Sequence, residues 1–144
     1  RSSAASDVYK RQVYSHPPEL IDFLAKLSQR QVAIINSAVF HAGFLTGGDY
    51  FDYCQVSRDN PAHKHLFAWR DRFFALCRRH GVKPAQACVQ FSFSAPGVVS
   101  VALNTSKPRR VRENVTLVEQ PVPAAFWEAM KTEGLLSADY PGLR

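Results

Sequence analysis

Val98-Val-Ser-Val-Ala-Leu-Asn-Thr-Ser-Lys-Pro-Arg-Arg-Val-Arg-Glu-Asn114 is the stretch that decides the fold. Its first six residues are a short, valine-rich run, as expected of a strand buried on both faces of a parallel sheet. A small polar loop, Asn104-Thr-Ser-Lys107, follows it. Pro108 then opens a helix whose Val111, Val115 and Val118 are expected on the inner face. Strand, short loop and helix in this order form one unit of an α/β layer.

Upstream, Val32-Ala-Ile-Ile35 is a second run of the same kind. Before it, Pro17-Pro18 opens a helix with Leu20, Phe23, Leu24 and Leu27 on one stripe, ending near Gln29-Arg30. Between the two strands, Asp59-Asn60-Pro61 supplies a cap and a first-turn proline. The helix after it should bury Leu66, Trp69, Phe73 and Leu76 or Cys77, and close at Gly81. Another helix runs from Pro84 through Phe91 and is stopped by Pro96-Gly97. The last runs from Pro123 to about Glu133, with Phe126 and Met130 inward and Gly134 after it; an irregular tail follows. The order is helix, strand, helix, helix, strand, helix, helix, an α/β pattern with helical crossovers between parallel-type strands. Two parallel strands cannot close a sheet, so either association or a larger barrel must supply the others.

Chemistry in such folds lies on the loops after the strands. The connection 37–60 is long, with Gly43, Gly47, Gly48 and the aromatics Tyr50, Phe51 and Tyr53. Loops of this length are usually functional or disordered, and this one is too aromatic for disorder. In the second loop the helix start attracts phosphate, Thr105 and Ser106 add hydroxyls, and Arg110 lies one turn on. Glu113 and Asn114 then stand within reach of a base. The same residues also suit an ordinary capped surface helix, and on the residues alone both readings stay open.

The stretch 99–114 resembles the last strand, loop and helix of the aldo-keto reductases, with their closing Glu-Asn. Ile35-Asn-Ser-Ala-Val-Phe-His-Ala-Gly-Phe-Leu-Thr46 resembles their penultimate strand and its loop. Pro121-Val-Pro-Ala-Ala-Phe-Trp-Glu128 with Glu133-Gly-Leu-Leu136 is similar to the D-threo-aldose and L-fucose dehydrogenase branch. The resemblance implies a C-terminal fragment of a (β/α)8 TIM barrel, its last two strands with their helices. It also implies NAD or NADP bound in extended form, and an NAD(P)-dependent oxidoreductase of an aldose sugar or other small carbonyl. No GxGxxG follows either strand, and 43–48 lacks the lysine of a P-loop.

Carried over by position, Asn104, Thr105 and Ser106 would approach the adenosine ribose and its 2′ substituent. Arg110 would face the 2′-phosphate or stack on adenine, and Glu113 with Asn114 would hold its amino group. Ser37 and Phe40 would lie near the nicotinamide and pyrophosphate. Asn104 stands where many NADP-preferring relatives carry lysine, which favours NAD or dual use. Ser37 stands where many carry an aromatic ring. The family's catalytic Tyr, Lys, Asp and His come from the first half of the barrel, so no catalytic residue is assigned here and this chain alone is expected to be inactive.

Composition narrows the alternatives. The formal charge of +6 raises nucleic acid as a partner. The cations are dispersed, however, with no RNP-type motif, zinc-finger spacing or basic run, and no nucleic-acid partner is expected. Residues 2–12, Ser-Ser-Ala-Ala-Ser-Asp-Val-Tyr-Lys-Arg-Gln, lack periodicity and resemble translated adapter sequence. Residues 1–12 are therefore expected to be a non-native tail, and 13–144 the barrel part. Leaving out that tail removes three cations and one anion, so the charge falls from +6 to +4. Cys54, Cys77 and Cys88 are expected as free thiols of a cytoplasmic protein. No run is long enough to span a membrane, and none is expected as a partner. His63 and His65 sit i, i+2 and point apart, so no metal site is assigned. The rival function is a non-catalytic cationic binding or scaffold module.

Overall fold

The structure is a computed structural model that describes residues 13–105, 107–141 and 143. Among the described residues five α-helices and four short strands follow one another: α1 (Pro18–Gln29), β1 (Ile34–Ser37), β2 (Tyr50–Phe51), β3 (Cys54–Gln55), α2 (Lys64–Arg79), α3 (Pro84–Phe93), β4 (Val98–Ala102), α4 (Arg109–Glu119) and α5 (Ala124–Thr132). The residues called a non-native tail, 1–12, lie outside the described residues, as does Ser106.

β1 and β4 pair in parallel, with Ile35 opposite Ser100, Asn36 opposite Val101 and Ser37 opposite Ala102. A bulge lies between Ile34 and Ile35. Below it the Ile34 N–H donates to the Gly97 carbonyl (3.1 Å), extending the ladder by one rung. Gly97 has φ +75°, and a Cβ built there would stand 2.9 Å from Ser28 Cβ and 3.1 Å from Ile34 Cδ1. Helix α1 therefore seats directly on the start of the pair. The parallel arrangement and the helical crossover between the strands agree with the α/β pattern of the sequence.

The strand starts later than the apolar run suggests. α1 ends in a Schellman motif: Val32 N–H donates to Leu27 O (3.1 Å) and Gln31 N–H to Ser28 O (2.9 Å). Gln31 takes the left-handed conformation, φ 58°, in the position that Gly81 fills after α2 and Gly134 after α5. The helix cap thus claims Val32, and pairing begins at Ile34.

The core lies behind the pair, between α2, α3 and α5. Phe44, Phe73, Leu76, Phe91, Phe126 and Met130 are fully buried there. α2 buries Leu66, Phe67, Arg70, Phe73, Leu76 and Cys77, while Trp69 is half-buried. Two expectations of burial fail. Ile35 and Val99 are each 65% exposed, so the strands are covered on one face only, with Asn36 turned in to donate to Ser92 O (3.3 Å). α4 buries no residue, and Val111, Val115 and Val118 are 56, 52 and 42% exposed. A valine-rich strand reads as doubly buried only when layers stand on both sides, and a second layer is absent among the described residues.

Gly97→Ala must strain a left-handed backbone and displace Ser28. It is expected to lower the unfolding free energy by about 2 kcal/mol. Urea denaturation followed by circular dichroism measures this; a change within about 0.3 kcal/mol would mean that α1 does not press on the strand pair.

Candidate functional site

From Ser37 the chain leaves β1 and folds into consecutive tight turns. Gly43 N–H donates to Phe40 O (3.0 Å), Leu45 N–H to Phe40 O (3.2 Å) and Gly48 N–H to Gly43 O (2.9 Å). Gly43 and Gly47, at φ 95° and 103°, take backbone that side chains resist. Ala38, His41, Ala42, Asp52 and Tyr53 are also left-handed, between 47° and 66°. Backbone strain of this kind concentrates at functional loops and must be held by the surroundings. The long connection expected between strand and helix is thus an ordered structure, with a 3-10 turn (Phe44–Thr46) and the β2–β3 hairpin.

Adjacent residues of α2 hold it. The buried Arg70 guanidinium donates to Gly48 O (2.8 Å) and Phe44 O (3.4 Å). It lies over the rings of Phe44 (4.3 Å) and Phe67 (4.6 Å), and burial lowers its pKa from the usual arginine value. Next to it, Asp71 accepts both arms of Arg58 (2.8 and 2.7 Å), which holds its carboxyl below the usual range. His41 is buried with its ring stacked on Phe51 (4.5 Å) and its Nδ1–H donating to Asp52 Oδ1 (3.2 Å).

α4 forms the opposite wall. Gln86 of α3 donates to Gln120 O (3.3 Å) and Pro121 O (3.1 Å), and Gln90 donates to Leu117 O (3.0 Å) and Val118 O (2.7 Å). These four bonds fix the C-terminal turn of α4 against α3. Between the loop and α4, beyond the C-terminal ends of β1 and β4, opens a cleft of about 760 Å³. Ser37 and Phe40 line it from one side. Asn104, Thr105, Arg110, Glu113 and Asn114 line it from the other. Seven of the eight residues singled out in the sequence therefore meet in one cavity; Ser106 lies outside the described residues. The volume falls within the usual range for small-molecule sites.

The start of α4 differs from the expected open anion cradle. Thr105 Oγ1 accepts the Lys107 N–H (3.1 Å), Arg110 N–H donates to Lys107 O (2.9 Å) and Val111 N–H to Pro108 O (3.1 Å). Local turns already use these donors, so attraction for an anion rests on the Arg110 side chain and the helix dipole.

Sequence reasoning missed three contributors. Lys83 and Gln120 also line the cleft, which extends to the first turn of α3, and so does Tyr53 of the aromatic loop named in the sequence. Arg70 carried a usable signal: it falls on the apolar stripe of Leu66, Phe73 and Cys77, where a cation must find partners. Among the described residues no group of three or more His, Cys, Asp or Glu is placed to hold a metal. His63 Nδ1 instead accepts the Ser57 N–H (3.1 Å). No described helix is long and apolar enough to cross a membrane.

The profile of the aldo/keto reductase family matches residues 8–132. The chain is 32% identical over 120 residues to pyridoxal 4-dehydrogenase of Microbacterium luteolum, covering 81% of this chain and 33% of that protein. It is 23% identical over 124 residues to D-threo-aldose 1-dehydrogenase of Pseudomonas sp, covering 83% of this chain and 36% of that protein. The chain spans about a third of the length of these relatives.

Arg70→Met is expected to leave the Phe44 and Gly48 carbonyls without their donor. It should lower stability by about 1–3 kcal/mol and speed amide exchange over 43–48; unchanged exchange there would show that the loop holds itself. Burial pushes the Cys77 thiol up to about 12 and raises Cys88 as well, while Cys54 is exposed. Thiolate is the reactive form, so at pH 8 only Cys54 should be alkylated in the native protein, and all three in denaturant. Rapid native labelling of Cys77 or Cys88 by mass spectrometry would contradict this burial.

Proposed function

Because the chain belongs to the aldo/keto reductase family, we propose that it supplies the adenine-end half of a nicotinamide dinucleotide site in an oxidoreductase acting on a small aldehyde. The observation that carries this reading is the meeting of Ser37, Phe40, Asn104, Arg110, Glu113 and Asn114 in one cleft beyond the ends of a parallel strand pair. The catalytic half of the reaction belongs to strands that this chain does not contain. The chain is the C-terminal fragment of a (β/α)8 TIM barrel, and the exposed Ile35, Val99 and α4 valines are the surfaces that the other strands and helices cover. On this reading the 144 residues alone catalyse no turnover.

Within the cleft, the chain's own groups divide the work by chemistry. Arg110 is always charged and planar, suited to a phosphate or to the face of a purine. Glu113 accepts hydrogen bonds from an exocyclic amine, and Asn114 both accepts and donates, as a purine edge requires. When bound, the dinucleotide supplies hydride exchange with the carbonyl carbon of the substrate. Asn104 brings no cation to the 2′ position, so NAD or dual use is favoured over strict NADP use.

The substrate belongs to the class that the relatives' names share. Pyridoxal and aldoses are both small polar aldehydes. The 32% identity to the pyridoxal enzyme against 23% to the aldose enzyme supports a substrate range that is not confined to sugars.

Calorimetric titration tests the site. Arg110→Ala should weaken binding of NADP+ at least tenfold, with a smaller loss for NAD+. Asn104→Lys should raise affinity for NADP+ about fivefold while leaving NAD+ within twofold, since a cation then faces the 2′-phosphate. Equal responses of the two dinucleotides to both substitutions would place the 2′ position elsewhere.

A further inference from the structure

The tip of the β2–β3 hairpin carries an arrangement that folding alone does not favour. Phe51 pairs with Cys54, so Asp52 and Tyr53 are the two central residues of the turn. Both are left-handed, at φ 48° and 66°, the backbone pattern of a two-residue hairpin turn that normally takes Asn-Gly or Asp-Gly. Asp52 fits the first place, and its carboxylate accepts the His41 N–H that ties the turn to the buried ring beneath it. Tyrosine in the second place bears a steric penalty that glycine would avoid. Tyr53 is 76% exposed and yet lines the same cleft as Arg110 and Asn114.

We infer that Tyr53 is a ligand-binding residue, whose strained turn presents its ring to stack on a planar nitrogen heterocycle held in the cleft. The inference rests on the dinucleotide reading and deepens it, by naming an aromatic contact in the same cleft as the adenine-end residues. An exposed ring that stacks on a ligand removes apolar area of both from water, and aromatic stacking on a base tolerates any base. The supports beneath the tip suit this task. Phe51 is stacked on His41 and edge-on to Phe44 (5.5 Å), and Phe44 is in turn clamped by Arg70. The hairpin is thereby fixed to the core while its tip remains at the cleft. A dinucleotide offers two such rings, adenine and nicotinamide, and both share the required chemistry.

The test uses the 144-residue chain and its Tyr53→Gly, Tyr53→Asn and Tyr53→Phe variants. Thermal unfolding and calorimetric titration with NADP+, 2′,5′-ADP and nicotinamide mononucleotide are measured on each. Glycine and asparagine both relieve the left-handed strain, so Tm should hold or rise in both while affinity for NADP+ falls about tenfold. Tyr53→Phe should restore the affinity. A matching loss with 2′,5′-ADP assigns the stack to adenine, and one with nicotinamide mononucleotide assigns it to nicotinamide. Undiminished NADP+ affinity in the Gly and Asn variants overturns the inference and leaves the dinucleotide site standing. Absence of NADP+ binding by the unsubstituted chain overturns both.

Discussion

The parallel hydrogen-bonded pairing of Ile34–Ser37 with Val98–Ala102 is the constraint on which the remaining architecture depends. Sixty residues separate the two strands, and a parallel return requires a helical crossover to bring them together. Once they pair in register, Ser37 and Ala102 end side by side. Both following segments then leave from the same edge: the strained loop on one side and the polar loop into α4 on the other. The cleft is the space between those departures. No single residue makes it, and a slip of the register would separate Ser37 from Asn104.

Around that pair, stabilisation is uneven. The side toward α2, α3 and α5 is packed with aromatic rings, and even the loop is fastened there by a buried arginine lying between Phe44 and Phe67. The opposite side exposes Ile35 and Val99, and α4 presents three valines to solvent. This asymmetry lies at the level of packing, not of local structure, because the strands and helices form regardless. It joins the fold to the functional proposal, in which the exposed strand face and the α4 valines meet the rest of a barrel.

Much of the fold was legible from residue patterns. Pro84 opened α3, Gly81 and Gly134 closed α2 and α5, and the two β-branched runs became the parallel pair. The Glu113-Asn114 and Arg110 positions could be placed at the mouth because strand, loop and helix follow one another with little slack. What could not be read has physical causes. Gln31 acts as a helix terminator in a left-handed conformation that nothing in its chemistry advertises, and so the strand start was misjudged. The valines of α4 satisfy a 3.6-residue stripe, but periodicity reports which residues share a face and not whether anything covers it. The turns of the loop at 38–53 escaped notice because several of its left-handed residues are not glycine. Arg70 was hidden among the apolar residues of its own helix.

The central claim is that the cleft beyond the paired strand ends receives the adenine end of a dinucleotide. A crystal structure of the chain grown with NADP+ tests it most directly. The account predicts the adenine beside Glu113 and Asn114, with Arg110 against its face or the 2′-phosphate, and the ribose near Asn104. A nucleotide seated elsewhere, or an adenine in that cleft with Arg110 and Asn114 turned away, would contradict it.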